Sequence, residues 1–155
     1  MPEFDPEGRL RELGIELPAA PKPVASYVPA VRTGNLVLVS GQIPMRAGEL
    51  IARGVVPGQV SLERAIACAR QCALNGLAVL KAEIGDLARV TRVVRLGCFV
   101  ACGPALTDHP KVANGASELM FEVFGERGRH ARAAVGCPSL PLGAPVEVEF
   151  MFEVE

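Results

Sequence analysis

A chain of 155 residues, half of them hydrophobic and carrying a net charge of -1 from 16 basic and 17 acidic side chains, has the size of one domain and buries roughly 68 to 70% of its unfolded surface. So even a balance exerts no long-range pull on a polyanion, which sets nucleic acid aside as the expected partner. No apolar run reaches the roughly 18 residues of a membrane span, and the start, MPEFDPEGRL, lacks a secretory leader's basic and apolar stretches; a cytoplasmic location without a membrane partner is expected.

Residues 5–14, DPEGRLRELG, read as a short helix with Asp5 at the N-cap, Pro6 in the first turn and Gly14 just past the end. Its thin apolar side, Leu10 and Leu13, predicts that it docks onto the rest of the domain. LPAAPKP (17–23) follows as an extended, Pro-stiffened linker. ASYVPAV, a turn at RTGN and LVLVSGQIP fit a hairpin, and RAGEL marks a second hairpin-like break before the loop ARGVVPGQ. Over 61–84, Leu62, Ile66, Cys68 or Ala69, Ala73, Leu77, Leu80 and Ile84 recur at helical spacing behind Ser61, a plausible N-cap.

Residues 88–102 predict a long strand, and a Pro-containing loop then leads to a second helix in VANGASELMFEVFGE. The chain ends in strands at 131–137 and 145–155. In the latter, Val146, Val148, Phe150, Phe152 and Val154 alternate with Glu147, Glu149, Met151, Glu153 and Glu155.

Two main helices against about six strands cover only one face of a sheet. Yet LVLVS and VVRLGCFVA are apolar on both faces, and water does not tolerate such a face well. The uncovered face is therefore expected to meet another subunit, in a closed homo-oligomer with sites at the subunit clefts.

Five cysteines without a CxxC point to reduced, buried thiols. His109 and His130, the only imidazoles, lie in no metal-ligand spacing, so no metal site is expected. There is no GxSxG, P-loop or GxGxxG, which removes the hydrolases, NTPases and nicotinamide enzymes that depend on them.

What remains is Arg132, at the head of an Ala/Val run, and Glu147 in the alternating strand. If their two strands pair antiparallel across PSLPLGA with Ala133 facing Val146, Arg132 stands opposite Glu147 on one face. One reading is a wet cross-strand ion pair worth about 0 to 1 kcal/mol. The other is a cleft in which the guanidinium fork takes a substrate carboxylate and Glu147 holds a water or passes a proton. Arg127, Arg129 and His130 nearby in sequence bias that cleft toward anions, or else Arg127 and Arg129 form a solvated turn.

Several segments together resemble the reactive intermediate deaminase (Rid, or YjgF) family: SYV with Tyr27, GNLVLVSGQIP, SLERA, GDLARVTRVVRLGCFV, VANGASELMFEVFG, ARAAV and LPLGAPVEVE, in order over about residues 24–155. The resemblance implies one α+β domain over 1–155, preceded within it by the helix and linker of 1–23. Its fold is the chorismate-mutase-like one: a mixed sheet of about six strands, two main helices on one face, and a homotrimer with a central barrel. It further implies hydrolysis of small carboxylated enamines or imines to 2-keto acids and ammonia, without metal or organic cofactor.

By the same resemblance Arg132 anchors the carboxylate and Glu147 orients water. Tyr27, Ser40, Gly41, Asn114 and Ala134 fall at ligand-lining positions. Ala133 and Ala134 stand where well-studied members have Ser and often Cys, and Ser117 stands where a Tyr is common, which marks a separate subgroup. A non-catalytic sensor of a keto acid or similar anion, and more distantly an RNA-cleaving role, are the competing readings.

Overall fold

The computed structural model describes residues 3–22 and 25–155. The end of the expected linker, residue 23, lies outside them. Among the described residues are three helices, α1 (Pro6–Glu12), α2 (Leu62–Ile84) and α3 (His109–Phe124), and seven strands: β1 (Ala30–Thr33), β2 (Leu36–Gln42), β3 (Met45–Arg46), β4 (Glu49–Leu50), β5 (Val90–Ala101), β6 (Ala131–Cys137) and β7 (Val146–Val154). Five form one mixed sheet in the order β1-β2-β7-β5-β6, while β3 and β4 make a separate two-stranded ribbon. The expected sheet of about six strands is thus five plus a ribbon, with both long helices on one face.

Local signals place most boundaries. Asp5 accepts from the Gly8 amide at 2.8 Å and opens α1, and Ser61 caps α2 through the Arg64 amide at 3.1 Å. The helix α3 begins at His109, three residues before the apolar pattern starts, because Pro110 fits a first turn where no amide is needed. Docking of α1 is as expected. Leu10 is buried, Glu7 meets Lys81 at 2.8 Å, and the Arg9 Nε donates to the Glu122 carbonyl. Arg127 belongs to this seam rather than to a free turn, since its guanidinium lies 3.9 Å from the Phe4 ring centre and donates to the Val90 carbonyl.

The core lies between α2, α3 and one sheet face, with Val37, Val93, Leu96, Val148, Phe150 and Phe152 pointing inward. Gly76 lets α2 come close to the sheet, for a Cβ there would stand 2.6 Å from the Phe150 ring. All five cysteines are free thiols, four of them buried. The opposite sheet face is open in the isolated chain and leaves Val31, Leu38 and Val135 at 52%, 39% and 48% exposure.

The expected pairing of the last two strands is wrong. Strand β6 runs parallel to β5, with Leu96 beside Arg132, and β7 lies antiparallel on the other side of β5, with Phe99 beside Glu147. The reason is topological. After β5 the chain crosses through α3, and a helical crossover returns a strand parallel to its predecessor. The loop 138–145, with its short 3-10 turn at Pro141–Gly143, then passes over β5 rather than closing a hairpin.

Candidate functional site

The first cluster forms where β2 departs from regular pairing with β7. Val39 pairs Phe150 and Gln42 pairs Val148, so Ser40 and Gly41 together face a single residue, Glu149. The bulge shifts the phase of the strand and turns Gln42 toward the helices. It also frames a cavity of about 690 Å³ lined by Tyr27, Ser40, Gly41, Asn75 and Glu147, with Pro18, Ala19, Pro21 and Lys22 of the linker as a further wall.

Ser40 ties down the segment carrying Tyr27, its Oγ donating to the Val28 carbonyl at 2.7 Å and its amide to the Pro29 carbonyl at 2.9 Å. Asn75, buried in α2, donates to the Ile43 and Met45 carbonyls and accepts from Gln71, which fixes the approach to the β3–β4 ribbon. The Glu147 carboxylate lies over Gly41. Burial pushes its pKa up from the ordinary carboxylate value, and the neighbouring Glu149 pushes it further. Such a carboxylate is a better proton acceptor than an exposed one.

The second cluster lies where β6 meets α3. Arg132 Nη1 donates to Asn114 Oδ1 at 2.8 Å and to Ser117 Oγ at 3.1 Å, and Nη2 reaches the Pro110 carbonyl at 3.4 Å. A guanidinium has five N–H donors, so these three bonds hold its plane and leave two donors unpaired among the described residues. Ser117 also lies 2.9 Å from His130 Nε2, and His130 Nδ1 lies 2.6 Å from the Gly128 carbonyl. Ser117, Glu118, Arg129, His130 and Arg132 line a shallow cavity of about 300 Å³. Ala134 pairs with Cys98 and packs against the core, lining neither cavity, as a methyl group on an edge strand does.

Within one chain the two clusters are apart, and the expectation of an Arg132–Glu147 pair on one face is corrected. Leu96 is the lateral partner of both Arg132 and Phe150, so Arg132 shares the helix-covered face with Phe150. Glu147 is three positions from Phe150 along an alternating strand and faces the other way. One strand lies between β6 and β7, a lateral gap of roughly 9 to 10 Å. Tyr27, Ser40 and Gly41 go with Glu147, and Asn114 goes with Arg132. The Ser117–His130 contact and the linker wall escaped sequence reasoning, because residues 13 apart on different elements leave no periodic trace.

A family model described as "YjgF/chorismate mutase-like, putative endoribonuclease" matches residues 7–154. Protein TCP17 of Trypanosoma cruzi is 45% identical over 146 residues, covering 94% of this chain and 91% of that protein. A protein of Dermatophagoides farinae named 2-iminobutanoate/2-iminopropanoate deaminase is 32% identical, covering 91% of this chain and 95% of its own length. A crystal structure of an Agrobacterium tumefaciens protein of unknown function superposes with a TM-score of 0.89 at 45% identity, covering 98% of this chain and 93% of that one.

Proposed function

This chain belongs to the YjgF/chorismate mutase-like family, and from that premise we propose that it is a deaminase hydrolysing small carboxylated enamines or imines to 2-keto acids and ammonia. The site is a cleft between copies of the chain, arranged as a homotrimer, in which Arg132 of one copy and Glu147 of its neighbour face one substrate. The observation that carries this reading is the division of the site: an Arg braced by Asn114 and Ser117 with two donors to spare, and a carboxylate of raised pKa in a cavity on the other sheet face. Only association brings the two together. The exposed Val31, Leu38 and Val135 give that association an apolar surface to bury. The relative named as a deaminase, at 32% identity, supports the same chemistry.

The residues suffice for the reaction class. The unpaired guanidinium donors take the substrate carboxylate and fix the adjacent imine carbon, which is already electrophilic. Glu147, made more basic than an ordinary carboxylate by burial and by Glu149, accepts a proton from the attacking water. Tyr27 and the bulged Ser40–Gly41 segment wall the cavity in which the substrate side chain lies.

The test is ammonia release from 2-imino acids generated in situ by an amino-acid oxidase or dehydratase. Turnover well above the spontaneous rate, lost in Arg132→Ala, is the expected result. Undiminished turnover in Arg132→Ala removes the mechanism, and saturable keto-acid binding without turnover across an imine panel makes the protein a binder instead.

A further inference from the structure

Beside Arg132 stands a hydrogen-bonded chain that anchoring a carboxylate does not require. A backbone carbonyl has only lone pairs, so His130 Nδ1, 2.6 Å from the Gly128 oxygen, carries the ring proton. Nε2 is therefore the acceptor, and the Ser117 hydroxyl 2.9 Å away donates to it. One of the two Ser117 lone pairs accepts from Arg132 Nη1 at 3.1 Å, which leaves the other free. All three side chains line one cavity open to solvent. This is a hydroxyl oriented by an imidazole that is itself oriented by a fixed carbonyl, the arrangement through which a side chain of modest acidity moves a proton.

The substrate chemistry places the reacting centre against it. In a 2-imino acid the electrophilic carbon is bonded directly to the carboxylate carbon. Once the carboxylate lies on Arg132, the substituents of that carbon fall beside the groups touching the guanidinium. Ser117 is the hydroxyl among them.

We propose that Ser117 and His130 form a proton relay that carries the proton from the hydroxyl of the tetrahedral carbinolamine to its departing nitrogen. The inference rests on the deaminase reading above. Water adds to the imine carbon, Glu147 takes the released proton, and the former π pair on nitrogen is protonated in turn, giving a carbon that bears OH and NH2. In the second step Ser117 Oγ accepts the carbinolamine hydroxyl proton as its own passes to His130 Nε2, and the freed O–H pair becomes the new C=O bond. The C–N bond breaks with its electrons on nitrogen. The proton returns from His130 through Ser117 to that nitrogen, and ammonia leaves with the relay restored.

The surroundings suit the task. Burial lowers the His130 pKa, the Arg132 charge lowers it further, and the Gly128 carbonyl partly opposes them. The imidazole is thus neutral near pH 7 and free to accept. The other charged groups lining the cavity are Glu118 on α3 and Arg129, which pairs with Glu126 at 2.9 Å. Ser117 and His130 contribute little to the core, so substituting them leaves the fold standing.

The experiment separates relay from bracing. Ser117→Ala, Ser117→Thr and His130→Ala are assayed for kcat on 2-iminobutanoate formed in situ and, by calorimetry, for binding of 2-oxobutanoate. Ser117→Ala and His130→Ala are expected to lose about 10²-fold in kcat, with keto-acid affinity unchanged in His130→Ala and weakened far less than kcat in Ser117→Ala, which also loses one brace on Arg132. Ser117→Thr is expected to retain most activity, and added imidazole to restore His130→Ala but not Ser117→Ala. Unchanged kcat in Ser117→Ala, or a loss confined to keto-acid affinity, overturns the relay while leaving the deaminase reading intact. An inert wild-type protein overturns both.

Discussion

The carboxylate of Glu147 lies so close over Gly41 that a Cβ on residue 41 would overlap its Oε1 and stand 3.0 Å from its Cδ. No side chain fits between the bulge and the acid. Gly41→Ala therefore forces Glu147 off its present conformation, at a cost of about 0.5 to 1.5 kcal/mol if it is held off-rotamer. Deaminase turnover is expected to fall about tenfold or more, since a displacement of about 1 Å at a reacting group costs up to about 10²-fold. Thermal melting by circular dichroism should remain cooperative and close to wild type. Wild-type turnover in Gly41→Ala would separate Glu147 from catalysis.

The division of the site between two sheet faces has a strong consequence in mixed assemblies. Arg132→Ala and Glu147→Gln are each expected to be inactive. Co-refolded in equal amounts, a quarter of the clefts in a random cyclic oligomer receive an intact Arg132 from one copy and an intact Glu147 from the next, so about a quarter of wild-type activity returns. A mixture as inactive as its parents would show that the two residues do not meet across copies.

In the proposed mechanism, anchoring by Arg132 depends on its fork and not only on its charge. Arg132→Lys retains a cation but loses the planar set of donors that Asn114 and Ser117 hold in place. Charge-assisted hydrogen bonds are worth about 1.5 to 3 kcal/mol, so keto-acid affinity measured by calorimetry should weaken roughly 10- to 100-fold. Equal affinity in Arg132→Lys would mean that charge alone binds the anion.

Much of this layout is legible in the residues. The alternation of β7 picks out Glu147 as an outward-facing charge, and the Ser61 and Asp5 caps locate two helix starts within a residue. The pairing of β6 is not legible, because the proline-rich loop before β7 looks like a hairpin connection when residues are read in order. Only the crossover through α3 shows that β5, 12 residues long, takes the position between them. For the same reason the expectation that Arg132 stands opposite Glu147 on one face fails. The bulge at Ser40–Gly41 depends on register against β7, which a single strand's pattern does not carry.

The raised pKa of Glu147 also has a sign in stability. Below the ordinary carboxylate value of 4.5 the group is neutral folded and unfolded, and Gln in its place changes little. As the pH rises past that value the unfolded chain ionises first, so the native state progressively loses stability until Glu147 itself ionises, and the penalty persists above that point. Glu147→Gln is therefore expected to melt at a higher temperature than wild type at pH 7 and at about the same temperature near pH 4, while losing turnover. A Tm difference that is the same at both pH values would contradict the burial of this charge.

The linker gives the last test. Pro18, Ala19, Pro21 and Lys22 line the Glu147 cavity together with Ile43 and Met45. In the proposed mechanism the side-chain end of the substrate meets this lining, so the room for it is set partly by the N-terminal segment. Docking of α1 through Leu10 and the Glu7–Lys81 pair holds that segment against the domain. Ala19 lines the cavity, is solvent-exposed and lies outside the core, so Ala19→Trp fills cavity space rather than disrupting packing. A lost methylene's worth of room in an apolar pocket is worth about 1 to 3 kcal/mol, and several are removed here. The ratio of kcat/KM for a two-carbon side chain over that for a branched or aromatic one should rise at least about tenfold, measured on imines formed in situ from the corresponding amino acids. An unchanged ratio would place the substrate side chain away from the linker.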